Sequence, residues 1–255
     1  MWKIEVFDEV QSTQIVARER LNAGEAGHKD VLVALHQSGG KGQYETRTWY
    51  DQPGANLLLS LVLTEVDQHL VELMPFVAGL SVVATIRTIL GRELRSFDPD
   101  RVRLKWPNDI LLDNRKISGI LSEAIWSGSS LKGIIVGIGI NINQDIFSGP
   151  IASKAIALKQ VLQYNIPIEE TRDLLLATFE FALSHYRNKE RLLSDIRSEF
   201  EWLQHVPIES VTTSTGDVLE ISAIDGIADS GALVVKKRDG FLVALQAASL
   251  NITLG

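Results

Sequence analysis

The chain has 255 residues, 45% hydrophobic and 22% charged, and a formal net charge of −7; this is globular composition, enough for one large domain or a large domain with a small companion. The lack of cysteine excludes disulfides, thiolate metal sites and a cysteine nucleophile, and the acidic balance argues against uniform attraction to nucleic acid. No basic segment with a long apolar run opens the chain, and no stretch of eighteen apolar residues occurs, so neither a secretory signal nor a membrane span is expected and a cytoplasmic location is.

In chain order, a short strand over Lys3 to Phe7 leads into a helix from about Gln14 to Asn22, with Ser12 and Thr13 placed to cap its first amides. Val31 to His36 reads as a strand, and the glycine-rich segment from Ser38 to Thr48 reads as a long loop. Leu57 to Leu63 is a strand with Ser60 as its one polar interruption, and a well-buried helix is expected from Leu70 to Leu90. Strands follow around Val102 to Lys105, Ile110 to Leu112, Ser118 to Ile125 and Leu131 to Asn141, with Asp113-Asn114 as a tight connection. Helical segments are expected near Ala155 to Leu162 and from Glu169 to about Leu203, the latter interrupted at Asn188.

Beyond Pro207 the texture changes. Alternating runs at Val218 to Ile221, Ala232 to Lys236 and Phe241 to Leu245 are separated by Gly216, Gly226, Gly231 and Gly240. They read as a small all-β unit, which places a boundary at 204–208 between residues 1–205 and 206–255. The expected fold class is α+β, with a mixed, largely antiparallel sheet and packed helices.

Chemistry concentrates where polar or glycine-rich segments interrupt the strands. Lys105-Trp106-Pro107-Asn108-Asp109 puts a cation, a ring, an amide and a carboxylate around one proline, between two apolar runs. A tight hairpin turn would account for such a block; so would a ligand site held between anchored strands. Gly39, Gly40 and Gly42, interleaved with Lys41, Gln43 and Arg47, could expose backbone amides to phosphate, although no Walker-type ending follows. Lys116, just before a strand, could neutralise charge developing on a carboxylate or phosphoryl group. In Gly137-Ile138-Gly139-Ile140-Asn141 the two glycines fall on one strand face and leave a flat strip that Asn141 continues. Ile138, Ile140 and Ile142 then point to the core. The five histidines are scattered without metal-ligand spacing, no Gly-x-Ser-x-Gly elbow occurs, and there is no room upstream of Ser12 for a helix-turn-helix.

The order and spacing of these segments resemble the biotin–protein ligase family over nearly the whole chain, in a form without an N-terminal DNA-binding domain. The resemblance rests on Lys105-Trp106-Pro107-Asn108-Asp109, on Lys116-Ile117-Ser118-Gly119 running to Glu123, on Gly137-Ile138-Gly139-Ile140-Asn141, and on Ser12-Thr13, Gln37 and Gly54-Ala55-Asn56-Leu57 in the expected order. It implies a class II synthetase-like catalytic domain and a small SH3-like C-terminal domain. It also implies a two-step reaction. The biotin carboxylate attacks the α-phosphate of magnesium-bound ATP, pyrophosphate leaves, and a lysine of a biotin carboxyl carrier domain then takes the biotinyl group from biotinyl-5′-AMP.

By the same resemblance, Ser12, Thr13 and Gln37 contact the biotin head group, and Gly119, Gly137 and Gly139 line its slot. Lys116 contacts the reacting carboxylate, with Lys41 and Arg47 as further catalytic cations. Trp49 flanks adenine, Asn108 and Asn141 serve the nucleotide half, and Lys105 and Asp109 organise phosphates and Mg2+, Asp109 through phosphate or water. ATP, biotin and Mg2+ are the implied small molecules; no specific DNA and no membrane are expected as partners, and homodimerisation stays open. The loop departs from the family pattern: Lys41 stands where arginine is commoner, and the spacing to Trp49 is unusual. Gln14 stands where asparagine usually follows the Ser-Thr pair. A lipoate ligase or octanoyltransferase of related fold is the alternative enzyme, and a biotin- or nucleotide-binding protein without activity is the other alternative.

Overall fold

The computed structural model describes residues 1–40, 42, 49–213, 216–246 and 248–252. Strands β1 (Lys3–Val10), β2 (Asp30–Gln37), β3 (Asn56–Leu63), β4 (Val102–Lys105), β5 (Asp109–Leu112), β6 (Arg115–Ser127) and β7 (Ser130–Asn141) form one sheet in the order β1-β2-β3-β7-β6-β5-β4. β1 and β2 are parallel and joined through helix α1 (Thr13–Ala23); the other neighbours are antiparallel. The expected mixed, largely antiparallel sheet is therefore what the chain forms.

Period-2 patterning decides which way each strand faces. Leu57, Leu59 and Leu61 of β3, with Ile134, Val136, Ile138 and Ile140 of β7, point into the main core. There they meet helices α2 (Met74–Glu93) and α4 (Ile168–His185). Each aliphatic side chain buried this fully contributes about 1.5–3 kcal/mol. The opposite face is only partly covered. α1 packs on β3 and β7 there, with Ala17 and Leu21 against Leu32, Val62 and Ile135. Beyond α1 the described residues leave a gap on this face, partly covered by Trp49, and the candidate site lies there.

Local chemistry sets the helix ends. Ser12 caps α1 by accepting from the Gln14 amide at 3.3 Å, and Gly24 ends the helix at φ 76°, a left-handed conformation that glycine adopts without strain. α2 starts later than the apolar pattern suggests, because Pro75 sits in its first turn, where a missing N–H costs nothing. α2 is long and apolar enough to cross a membrane by composition, but 61% of the relevant window is buried inside this fold. Asn188 caps helix α5 (Lys189–Phe200) through Arg191 N, which divides the long helical stretch where the sequence suggested. The expected helix at 155–162 shrinks to α3 (Leu158–Leu162), since Ala155 instead forms a parallel bridge with Lys116. Tertiary pairing outweighs local helical preference there.

The C-terminal sheet is fuller than the sequence suggested. Its order is β11-β10-β9-β8-β12, all antiparallel, and it contains β8 (Ile208–Thr213) and β12 (Ala248–Ile252), which no alternating run announced. β9 (Val218–Ile227) runs through Gly226, which pairs with Val234 of β10 (Leu233–Lys237) next to an irregularity in register; it does not separate strands. β11 (Leu242–Leu245) closes the far edge. This sheet is fastened to the large one. Trp106, 1% exposed, donates its indole N–H to Gly231 O at 3.1 Å, and ahead of the sheet Trp202, in the helical turn Glu201–His205, donates to Leu104 O at 3.1 Å. Val211, Ile221 and Leu233 join the main core.

Candidate functional site

Two cross-strand rows build the floor of the site. Ser60 of β3, Gly137 of β7 and Leu121 of β6 stand side by side in register. Two residues further along β7, about 7 Å away, Leu58, Gly139 and Gly119 form the next row, which continues to Asp109 and Lys105. The glycines leave a trough of backbone. Above it lies an open cleft lined by Thr13, Gln14, Gln37, Gly42, Trp49 and Asn108 among others, with Lys116, Gly119, Gly137 and Gly139.

One end of this trough is polar and uncharged. Thr13 N and Oγ1 both donate to Gln37 Oε1, at 2.7 and 3.1 Å, and Thr13 Oγ1 lies 2.9 Å from Ser60 Oγ. Ser60 Oγ is 3.0 Å from Gln14 Oε1, while Gln14 Nε2 faces the carbonyls of Leu121 and Ile135 at 3.4 and 3.3 Å. Sequence reasoning missed Gln14 and Ser60 as site residues. The signal was present for Ser60, the single hydroxyl in an otherwise apolar strand.

The other end is charged. Lys116 Nζ sits 2.5 Å from Asp109 Oδ1 and 5.7 Å from the centroid of the Trp49 ring. A bulge puts it there. Ile110 pairs with Ser118, but Leu111 pairs with Lys116, so Ile117 is an extra residue on β6. Without that insertion, Lys116 would stand on the opposite face from Gly119; with it, a Cβ on Gly119 would lie 3.1 Å from Lys116 Nζ. The hairpin carrying this bulge turns through Asp113 and Asn114 at φ 50° and 62°, the left-handed pair that a tight two-residue connection requires.

Trp49 covers this end. Its amide donates to Gly40 O at 3.0 Å, which brings the two sides of the glycine-rich segment together. Its ring lies on Gly139 and Gly119, 2.7 and 3.1 Å from where a Cβ would be. The indole N–H is buried without a hydrogen-bond partner, so an acceptor entering the cleft would find a donor already desolvated. Asn108 holds β5 against β6 by donating to Ile120 O at 2.7 Å while still facing the cleft.

The remaining sequence candidates fall elsewhere. Ser12 caps α1 and does not line the cleft. Asn141, 3% exposed, donates to Ile156 O at 3.1 Å and to Lys116 O at 3.4 Å. It buttresses the Lys116 backbone and is not among the lining residues. Lys105 is two strands beyond Gly119 in the second row and also lies outside the lining. Asp109 is held by Lys116, and among the described residues no group of three or more His, Cys, Asp or Glu is placed to hold a metal ion. Lys41 and Arg47 lie outside the described residues.

The profile of the Biotin/lipoate A/B protein ligase family matches residues 6–141. The chain belongs to the biotin protein ligase family. It is 30% identical over 225 residues to the biotin–[acetyl-CoA-carboxylase] ligase of Paracoccus denitrificans, covering 85% of this chain and 88% of that one. It is 28% identical over 240 residues to the bifunctional ligase/repressor BirA of Escherichia coli, covering 94% of this chain and 70% of the relative; for the BirA of Bacillus subtilis the share of the relative is 43%. Among solved structures, the biotin protein ligase of Aquifex aeolicus in complex with biotin and ATP superposes with a TM-score of 0.78 at 26% identity, over 99% of this chain and 100% of that one. The family's general chemistry, an ATP- and biotin-using ligation, is thereby supported for this fold.

Proposed function

We propose that this chain ligates biotin to a specific lysine of a biotin carboxyl carrier domain, through biotinyl-5′-AMP and with magnesium-bound ATP as co-substrate, in the cytoplasm. The carrying observation is the polarity of the trough. Its two ends lie about 7 Å apart along β7, one walled by the amides and hydroxyls of Gln14, Gln37, Thr13 and Ser60, the other by Lys116. A ligand with a polar ring at one end and a carboxylate at the other fits that gradient. A lipoyl or octanoyl chain carries no group for the amide end, and burying those amides against it would leave them unpaired.

Each residue then has a task. Thr13 and Gln37 orient the ring of biotin. The glycine floor lets the ligand lie flat on backbone. Lys116 holds the carboxylate and offsets charge that builds at the α-phosphate, since the reaction needs little more than orientation and charge neutralisation. Asp109 keeps the Lys116 ammonium in place until the substrate carboxylate competes for it, and Asn108 sits where the nucleotide must enter. Magnesium arrives on ATP. The C-terminal sheet, read as an SH3-like unit, pins β4 and hence the Asn108-Asp109 turn through Trp106.

The test is direct. The protein is incubated with biotin, Mg-ATP and a carrier domain, and the carrier is weighed intact. One biotinyl group on the target lysine, absent without ATP and absent when that lysine is arginine, is expected. Transfer of lipoate or octanoate with no biotin transfer would replace this reading with the lipoate alternative.

A further inference from the structure

One ion-pair geometry near the site has no part in the chemistry above. His36 Nδ1 lies 3.0 Å from Asp51 Oδ2, and among the described residues His36 is the one polar side-chain partner of that carboxyl. The two partners differ in burial: the Asp51 side chain is 1% exposed and the His36 ring 30%. A carboxylate only accepts, so Nδ1 carries the hydrogen, whether or not the ring holds a second proton. Removing the ring would leave a buried charge without a donor, whereas removing the carboxylate would leave a ring that water reaches.

Asp51 stands two residues beyond Trp49. Gly54 N donates to Leu35 O at 2.8 Å, so two consecutive residues of β2, Leu35 and His36, anchor the run behind the tryptophan. The indole itself rests on the floor of the cleft. A Cβ on Gly139 would lie 2.7 Å from Trp49 Cζ2, and one on Gly119 would lie 3.1 Å from Cζ3. Carbon atoms in contact need about 3.5–4.0 Å, so nothing fits between ring and strand. A molecule lying on these glycines has to lift the ring and then carries it on top. How far the ring rises is set by the anchors behind it, and the buried carboxylate is the nearest of those on β2.

We propose that His36 and Asp51 form a positioning pair that keeps Trp49 over the glycine floor and so sets how slowly the cleft releases what it holds. The pair touches no reacting atom; it acts through Trp49. The proposal rests on the biotin reading, because biotin is the probe.

The test uses the full chain and two readouts. One is the release rate of bound biotin in a chase experiment. The other is amide hydrogen exchange at Trp49, whose N–H donates to Gly40 O at 3.0 Å, with the amides of β3 as an internal control. In His36→Ala the Asp51 carboxylate moves out to water and draws Trp49 off the floor. Release is expected to quicken about 10- to 100-fold, and Trp49 exchange to rise while β3 stays protected. In Asp51→Ala the anchor is lost but no charge is driven outward, so release is expected to quicken only about 3- to 10-fold. The double variant His36→Ala/Asp51→Ala should therefore release biotin more slowly than His36→Ala alone, the second substitution repairing the first. His36→Asn returns an N–H near the Nδ1 position and is expected to stay within about threefold of wild type. Wild-type release from folded His36→Ala, or a double variant as fast as His36→Ala, overturns the proposal. If His36→Ala does not fold, Asp51→Ala decides: unchanged release and unchanged Trp49 exchange overturn it. A wild-type chain that binds lipoate or octanoate but not biotin would instead overturn the functional reading beneath the proposal.

Discussion

The two faces of β7 are made by alternate residues of one strand, and they do opposite work. Ile134, Val136, Ile138 and Ile140 are each 2% exposed or less and pack against the helices. Gly137 and Gly139, between them, present bare backbone to a cleft. The packed face gains stability from side-chain volume; the other face gains a binding surface from its absence. A substitution on one face should therefore be felt in the melting curve, and a substitution on the other in ligand affinity. That separation is the claim to break.

The largest effect is expected on the packed side. Ile138→Ala removes a buried side chain and leaves a cavity, which costs about 2–5 kcal/mol. For a chain of this size each kcal/mol lowers Tm by about 2–4 °C, so a drop on the order of 10 °C is expected. The biotin affinity of the remaining folded protein should stay near wild type, measured well below the melting range. A matched loss of affinity would mean that the faces are coupled through the strand.

Lys116→Ala comes next. Removing one charge-stabilising donor commonly costs about 3 kcal/mol in the transition state, so biotin-dependent pyrophosphate release should fall by about two orders of magnitude. Tm should hardly move, because the lysine is partly exposed and its carboxylate partner Asp109 keeps access to water. Near-wild-type release would remove Lys116 from the chemistry. Gly139→Ala is smaller. The added methyl would lie 2.7 Å from Trp49 Cζ2, so the ring must shift, and overpacking of this kind costs about 1–3 kcal/mol. The contact is with a side chain that can move, so the cost should appear as about tenfold weaker biotin binding, with Tm changed by a few degrees at most. A large Tm loss with unchanged affinity would show that the glycine serves packing alone.

The sequence made this contrast of faces legible, because alternation at period 2 holds along β7 from Gly133 to Asn141, past the irregularity at its start. The same rule fails one strand away. Lys116 and Gly119 are three residues apart, and strict alternation separates them onto opposite faces; the extra residue Ile117 reunites them. A bulge leaves no mark in a pattern of apolar residues, so only the family motif put Lys116 at the site. Asn141 shows the converse. Alternation puts it on the glycine face, yet its amide is taken by the Ile156 and Lys116 carbonyls of a segment whose return to β6 no local signal announces. Gln14 was visible only as an unusual residue after Ser12-Thr13. Its role depends on carbonyls of β6 and β7 more than a hundred residues away, at Leu121 and Ile135.

The smallest expected effect concerns the hairpin that sets the Lys116 register. Asp113 receives two hydrogen bonds from Arg101, each at 2.7 Å, and that bonding, ahead of the charge attraction, holds its carboxyl below the usual carboxylate range, against some desolvation. Both side chains keep about a third of their surface in water, at 33% and 34%. A pair so exposed is screened and contributes about 0.2–1 kcal/mol. Because the folded pKa is the lower one, this contribution is present above the unfolded carboxylate pKa and is lost as pH falls through the lowered folded value. Asp113→Asn removes the charge while keeping a residue that tolerates the left-handed turn at φ 50°. The variant should melt within about 4 °C of wild type at neutral pH, and the gap should narrow as the solution is acidified. Adenylation should be unaffected, since the turn conformation and not the ion pair fixes the bulge. If the rate falls while Tm holds, the Arg101 pair is part of what keeps Lys116 on the glycine face, and the two faces of the sheet are less separable than the strand pattern makes them.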